Sequence, residues 1–302
     1  MKRIVFHLAI ILCLILSIGL AQGKVDSSAE VLAQTDWLAA HLNDPGLVIL
    51  HVGVDRTAYD AGHVTGARFV AWSDLTVTRN GVPNQVPTPE VLKKTLEQAG
   101  VGDESRVVVY GDTPLLAGHT YFVLDYLGHA NHAVLDGGLE KWKAEKRPLS
   151  KAQPAPVNGK LTPKPDPELL VDLAQVEKIV AEKKVPVIDG RPPEQYSGVK
   201  PGDGIQRGGH IPGARNVYWM QTVVSKENPV LKPVADIRAL YEAAGAKVGE
   251  PVLVYCRTGP IATFEYVTLK LAGFRPLLYN GSFMEWSNAT STAVAAGTGG
   301  LP

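Results

Sequence analysis

Val252-Leu253-Val254-Tyr255-Cys256-Arg257-Thr258-Gly259-Pro260-Ile261-Ala262-Thr263 is the stretch that decides the fold. Four apolar residues read as a buried strand, the next four as a tight loop, and the residues from Thr263 to Leu271 as a helix. A strand that passes through a short loop into a helix is the unit of an α/β domain with a mainly parallel sheet. Ligands on such sheets gather at the carboxyl ends of the strands. Cys256 occupies that place.

Moving outward, the same pattern occurs earlier in the chain. Val107-Val108-Val109-Tyr110 matches Val252 to Tyr255, 145 positions on. Gly62-His63-Val64 and Gly66-Ala67 match Gly209-His210-Ile211 and Gly213-Ala214, with the histidines 147 positions apart. Asp136-Gly137-Gly138-Leu139-Glu140-Lys141-Trp142 matches Asn280 to Trp286 at an offset of 144. Three blocks in one order at nearly constant offset read as two copies of one domain. Strand signals at Leu47 to Val52, Arg106 to Tyr110 and Val185 to Ile188 alternate with helix signals at Pro89 to Ala99, Gly118 to Leu127 and Val234 to Ala244. The expected division is residues 28–148 for the first copy, 149–167 for a proline-rich linker, 168–290 for the second copy and 291–302 for a tail.

The repeat is its own control. With Tyr110 opposite Tyr255, Gly111 stands where the second copy has Cys256, and Asp112 where it has Arg257. The first copy lacks both thiol and cation, so thiol chemistry is expected only in the second.

The N-terminus reads differently. Lys2 and Arg3, an apolar run from Leu8 to Leu16, then Ser17, Gly19 and Ala21 have the layout of a secretory signal peptide over residues 1–21. The run is shorter than the roughly 18–20 apolar residues of a membrane span. The expectation is export, periplasmic or secreted, with no membrane attachment after cleavage. Cys13 falls within this segment, so Cys256 is then the single thiol of the mature chain and no internal disulfide is possible. A lone thiol in an oxidising compartment is a liability unless it is used. Burial in the core is the alternative reading of such a residue.

Composition narrows the classes further. The 302 residues carry 30 Lys plus Arg and 30 Asp plus Glu, which gives no argument for nucleic acid or an anionic surface. No His or Cys cluster has metal-ligand spacing, and no phosphate-binding glycine loop of the nucleotide type is present. Neither a metal nor a cofactor is expected.

The neighbours of Cys256 favour reactivity. Backbone amides of Arg257, Thr258, Gly259 and Ile261 are placed to form a nest for an anion, and the following helix presents its positive end to the same spot. Arg257 adds a full charge. Each of these stabilises a thiolate, the nucleophilic form. Gly259 permits the curl, and Pro260 contributes no N–H. His63 and His210 recur in both copies and read as turn-stabilising. Trp142 and Trp286 read as core, Trp219 as a pocket wall. Asn288-Ala289-Thr290 is a glycosylation sequon, meaningful only for a eukaryotic source.

With these residues on the page, the chain resembles the tandem-domain rhodaneses, thiosulfate or 3-mercaptopyruvate sulfurtransferases. The carriers are Asp189-Gly190-Arg191, Gly209 to Ala214, Tyr255 to Gly259 and Tyr279 to Trp286, and the likeness runs from about Glu30 to Trp286. It implies two rhodanese-like α/β domains. It also implies double displacement: Cys256 takes the outer sulfur of a small anionic donor as a persulfide and yields it to a thiol or cyanide. The implied donor-binding residues are Arg257, Thr258, Gly259, Ile261 and Arg191. Arg191 has the equal alternative of pairing with a carboxylate. No cofactor is implied, and the chain is read as a monomer. A basic residue after the cysteine is the habit of thiosulfate users in this family, Gly-Ser that of mercaptopyruvate users, so Arg257 favours thiosulfate. Thr258 and Gln195 depart from the family's cations at those positions. Mercaptopyruvate transfer and a persulfide carrier that does not turn over are the competing readings. Cysteine phosphatases need an arginine six positions after the cysteine, where this chain has Ala262.

Overall fold

The computed structural model describes residues 31–298, so the expected signal peptide lies outside the described residues. In the first copy the strands β1 (Leu32–Ala33), β2 (Leu47–Gly53), β3 (Arg68–Ala71), β4 (Arg106–Gly111) and β5 (His132–Leu135) form one parallel sheet in the order β1-β5-β4-β2-β3. In the second, β6 (Leu170–Val171), β7 (Val187–Asp189), β8 (Arg215–Asn216), β9 (Pro251–Tyr255) and β10 (Arg275–Tyr279) repeat it as β6-β10-β9-β7-β8. Every pairing within these two sheets is parallel. Parallel strands require crossovers, which helices supply while covering both faces. That is why the central strands β4 and β9 are almost wholly buried.

Register aligns the copies residue by residue. Asp189 lies opposite Tyr255, and His51 lies opposite Tyr110. His51 therefore stands where the second copy has Asp189. The turn motifs repeat in detail. His63 stacks on Tyr59 and His210 on Tyr196, each with ring centroids 3.8 Å apart. The Tyr59 and Tyr196 hydroxyls donate to the Ala67 and Ala214 carbonyls at 2.7 and 2.8 Å. Both histidines are thus turn fasteners. Trp142 and Trp286 are buried, and their indole N–H groups donate to the Pro148 and Ala293 carbonyls at 2.8 and 2.7 Å.

The copies dock helix to helix. Gly118, in the Pro114–Tyr126 helix, faces Phe264 of the Pro260–Leu271 helix so closely that a Cβ there would sit 2.7 Å from the Phe264 Cα. Beside this contact, Asp125 accepts from Tyr266 at 2.5 Å and pairs with Lys270 at 2.6 Å. Gly118→Val should therefore force the helices apart and destabilise the protein by about 2–3 kcal/mol, read from chemical denaturation. Unchanged stability would show that this contact yields.

The linker opens with a two-residue strand, Leu149–Ser150, paired antiparallel with His63–Val64, and is irregular but fixed in place beyond it. Leu161 is buried, its N–H donates to Glu97 Oε1 at 2.9 Å, and the Lys164 N–H donates to the Leu127 carbonyl at 2.8 Å. The tail returns to the second copy, where His210 and Ala295 exchange two backbone hydrogen bonds. Among the described residues no helix is long and apolar enough to cross a membrane.

Two buried histidines make stability depend on pH. Burial lowers His119 and His132 from 6.5 to about 4. Between those values the unfolded chain takes up protons that the fold excludes. Their contribution is complete above pH 6.5 and is lost as pH falls to about 4, by up to roughly 3 kcal/mol for each ring. Unfolding midpoints in denaturant measured from pH 7.5 to 4.5 should fall across this window. His119→Gln should flatten the profile.

Candidate active site

Cys256 sits immediately after β9, where the chain turns into the Pro260–Leu271 helix. Its Sγ accepts a hydrogen bond from the Gly259 N–H at 3.1 Å. The curl that allows this has Gly259 at φ +116°, the left-handed region that favours glycine. The amides of Arg257, Thr258 and Ile261 in the same loop have no acceptor among the described residues. One amide on the sulfur, three unused beside it and a helix start form a nest for an anion.

A second segment staples the loop. The Cys256 N–H donates to Ser282 Oγ at 3.3 Å, and the Cys256 and Arg257 carbonyls accept from Phe283 and Met284 at 2.9 and 3.0 Å. Ser282, at φ +52°, opens the short helix that the repeated Asn280-to-Trp286 block encodes.

The other anticipated residues are placed as follows. Thr258 is buried at the loop's inner side, and Ile261 packs against the core beside Gly190. Arg257 is the least committed. Its side chain is 37% exposed and leans toward Asp203, with Nη1 4.0 Å from Oδ2. Arg191 differs from the donor-binding expectation. It is fully buried, bonded to both carboxylate oxygens of Asp189, with Nη2 also donating to the Gly209 carbonyl at 2.7 Å. Burial alone would lower its basicity. The facing Asp189 charge and hydrogen bonds overcome that and hold it above its ordinary value. The correction is physical: of its two readings, the carboxylate partner is the one realised, and the guanidinium braces the strand ends.

Cys256 is only 1% exposed. The cover comes partly from the first copy, whose Asn84 carbonyl lies over Gly259. A cavity of about 120 Å³ between the copies lies at the first copy's equivalent strand end, against Gly111, Asp112 and Phe264. Trp219 packs edge-on against Phe264, with centroids 5.7 Å apart. At this vestigial strand end, His51 Nε2 lies 2.8 Å from Asp112 Oδ1. Burial lowers His51 below its ordinary value despite Asp112.

Two residues escaped the sequence reading. Asn84 donates through Nδ2 to Thr258 Oγ1 at 3.1 Å, from the other copy. Glu265 is fully buried beneath the loop, with both carboxylate oxygens unpartnered and packed against Gly190 so tightly that no Cβ fits there. Burial, then the neighbouring Asp189 and Cys256, push it well above 4.5, so it stays neutral in the fold. Its one signal in the sequence is a lone acid within an otherwise apolar run, Phe264 to Val267.

Comparison with known proteins matches the two-copy fold. The rhodanese-like domain model matches residues 34–145 and again 172–289. A sulfur carrier protein of Thermus thermophilus, TtuD, is 33% identical over 284 residues, covering 89% of this chain and 97% of its own. A provisionally named thiosulfate sulfurtransferase of Haloferax volcanii is 32% identical, covering 90% and 98%. Among solved structures, the 3-mercaptopyruvate enzyme SseA of Escherichia coli superposes with TM-score 0.73 at 26% identity, covering 83% of this chain and 98% of its own. An anaerobic ergothioneine biosynthesis enzyme of Chlorobium limicola gives TM-score 0.78 at 22% identity, covering 89% and 71%, a likeness of fold.

Proposed function

The chain belongs to the rhodanese family, with two rhodanese-like domains, and from that premise we propose that it is a sulfurtransferase using thiosulfate as donor and Cys256 as carrier of the sulfur. The observation that carries this reading is the Gly259 N–H on Sγ in a loop of unused amides. The Cys256 thiolate attacks the outer sulfur of thiosulfate. The donor's S–S bond breaks, sulfite leaves with the electron pair, and a persulfide anion remains. Its charge rests on the same amides that held the thiolate. A thiol or cyanide then takes the terminal sulfur and returns the thiolate. Intact mass after thiosulfate treatment tests the first half: wild type should gain about 32 mass units, one sulfur atom.

Two further readings have specific support. Transfer from 3-mercaptopyruvate is favoured by the outward lean of Arg257, and a carrier role by the likeness to TtuD. Turnover assays with both donors separate all three. Arg257→Gly should lower kcat/KM for thiosulfate about tenfold and for mercaptopyruvate much less, because a charge-assisted contact to a dianion is lost. An unchanged donor ratio would remove the basis for preferring thiosulfate. Export directed by residues 1–21 is part of the same proposal. N-terminal sequencing of the protein recovered from its host should begin after Ala21.

A further inference from the structure

The first copy reaches the sulfur loop through the Val82–Gln85 strand of a hairpin. The Trp72 Nε1–H donates to Asn84 Oδ1 at 3.2 Å. An indole nitrogen only donates, so this bond fixes which end of the Asn84 amide faces which way. The NH₂ end faces Thr258 Oγ1, at 3.1 Å. An amide NH₂ also only donates, so the Thr258 oxygen must accept. Its own proton is left to be given elsewhere, and no acceptor for it exists among the described residues. Thr258 is 6% exposed and lies two positions past Cys256, between the unused amides of Arg257 and Ile261. Asn84 is held at φ +62°, a backbone shape asparagine tolerates, and the Val86 N–H donates to Asn280 Oδ1 at 3.1 Å, fastening the hairpin to the same region of the second copy.

We propose that the Trp72–Asn84 pair orients the Thr258 hydroxyl as a hydrogen-bond donor to the anionic oxygens of the sulfur donor, with Thr258 a binding residue and Asn84 a positioning residue supplied by the inactive copy. The proposal rests on the sulfurtransferase reading and deepens it. It gives the first copy a role in donor recognition although that copy carries no thiol. The neutral hydroxyl at position 258 then does part of what a second cation would do.

Steady-state transfer from thiosulfate to cyanide tests it, alongside alkylation of Cys256 by neutral iodoacetamide. Asn84→Ala should raise KM for thiosulfate about tenfold with kcat and alkylation rate nearly unchanged, as for loss of a hydrogen bond to a charged group. Thr258→Val should do the same, Thr258→Ser should stay near wild type, and Asn84→Ala combined with Thr258→Val should be no worse than either alone. Asn84→Asp should raise KM further than alanine, because a carboxylate there accepts the Thr258 proton and turns it from the loop. The proposal is overturned if Asn84→Ala lowers only kcat or stability at constant KM, or if the two single effects multiply in the double variant. Should Asn84 variants not fold, the Thr258→Val and Thr258→Ser pair still decides: equal KM values overturn it. Failure of wild type to form the persulfide would instead refute the sulfurtransferase reading itself.

Discussion

Cys256→Ser abolishes sulfur transfer and leaves the fold intact. The side chain is 1% exposed and fixed by its loop, and a serine oxygen at the same site can still accept from Gly259. The exchange is nearly isosteric and the hydrogen bond survives, so stability should change by no more than about 1 kcal/mol. Chemistry does not survive. The oxygen is protonated at neutral pH, no histidine among the described residues is hydrogen-bonded to position 256, and the oxygen cannot take up a sulfane sulfur. The variant should show no mass gain with thiosulfate and no thiocyanate above the uncatalysed rate, with an unaltered circular dichroism spectrum. Persistent transfer would mean that Cys256 is a core residue, since no second thiol exists among residues 31–298.

The largest expected effect on stability comes from Arg191→Met. Asp189 and Arg191 are both fully buried. Removing the guanidinium leaves a buried carboxylate with the residue-191 backbone N–H and the neighbouring Tyr255 hydroxyl but no counter-charge, and leaves the Gly209 carbonyl without its donor. Breaking a buried pair from one side costs about 3–5 kcal/mol, whereas replacing both partners costs far less. Arg191→Met should therefore lower the denaturation midpoint sharply, and Asp189→Asn combined with Arg191→Met should recover most of the loss. A stable single variant with a raised KM for thiosulfate would return Arg191 to the donor-binding set.

The repeat and the parallel strand-loop-helix units, with Cys256 at the end of one strand, were legible because each is encoded locally. Hydrophobic runs mark β4 and β9, and the three matched blocks survive as short motifs. β1, β6 and β8 have two residues each, too few to carry a period, and were not anticipated. The linker was read from its prolines, and nothing in them shows that Leu161 is a core residue. Arg257 was assigned by charge, while its direction depends on a loop containing Asp203. Asn84 was out of reach for a different reason. It lies 174 residues from Thr258, in a hairpin whose second-copy equivalent is the Val223–Leu231 turn, and meets Thr258 only because the copies dock through Gly118 and Phe264.

That docking sets two strand ends of matching shape side by side, and their charges are reversed. Where one copy has a buried acid and a loop arginine, the other has a buried ring and a loop carboxylate, Asp112, beside His51 held neutral by burial. The proposed dianionic donor would meet a loop arginine at one strand end and a loop carboxylate at the other. The repeat is thus close in fold and unlike in charge, with Arg257 at the one strand end answering to Asp112 at the other.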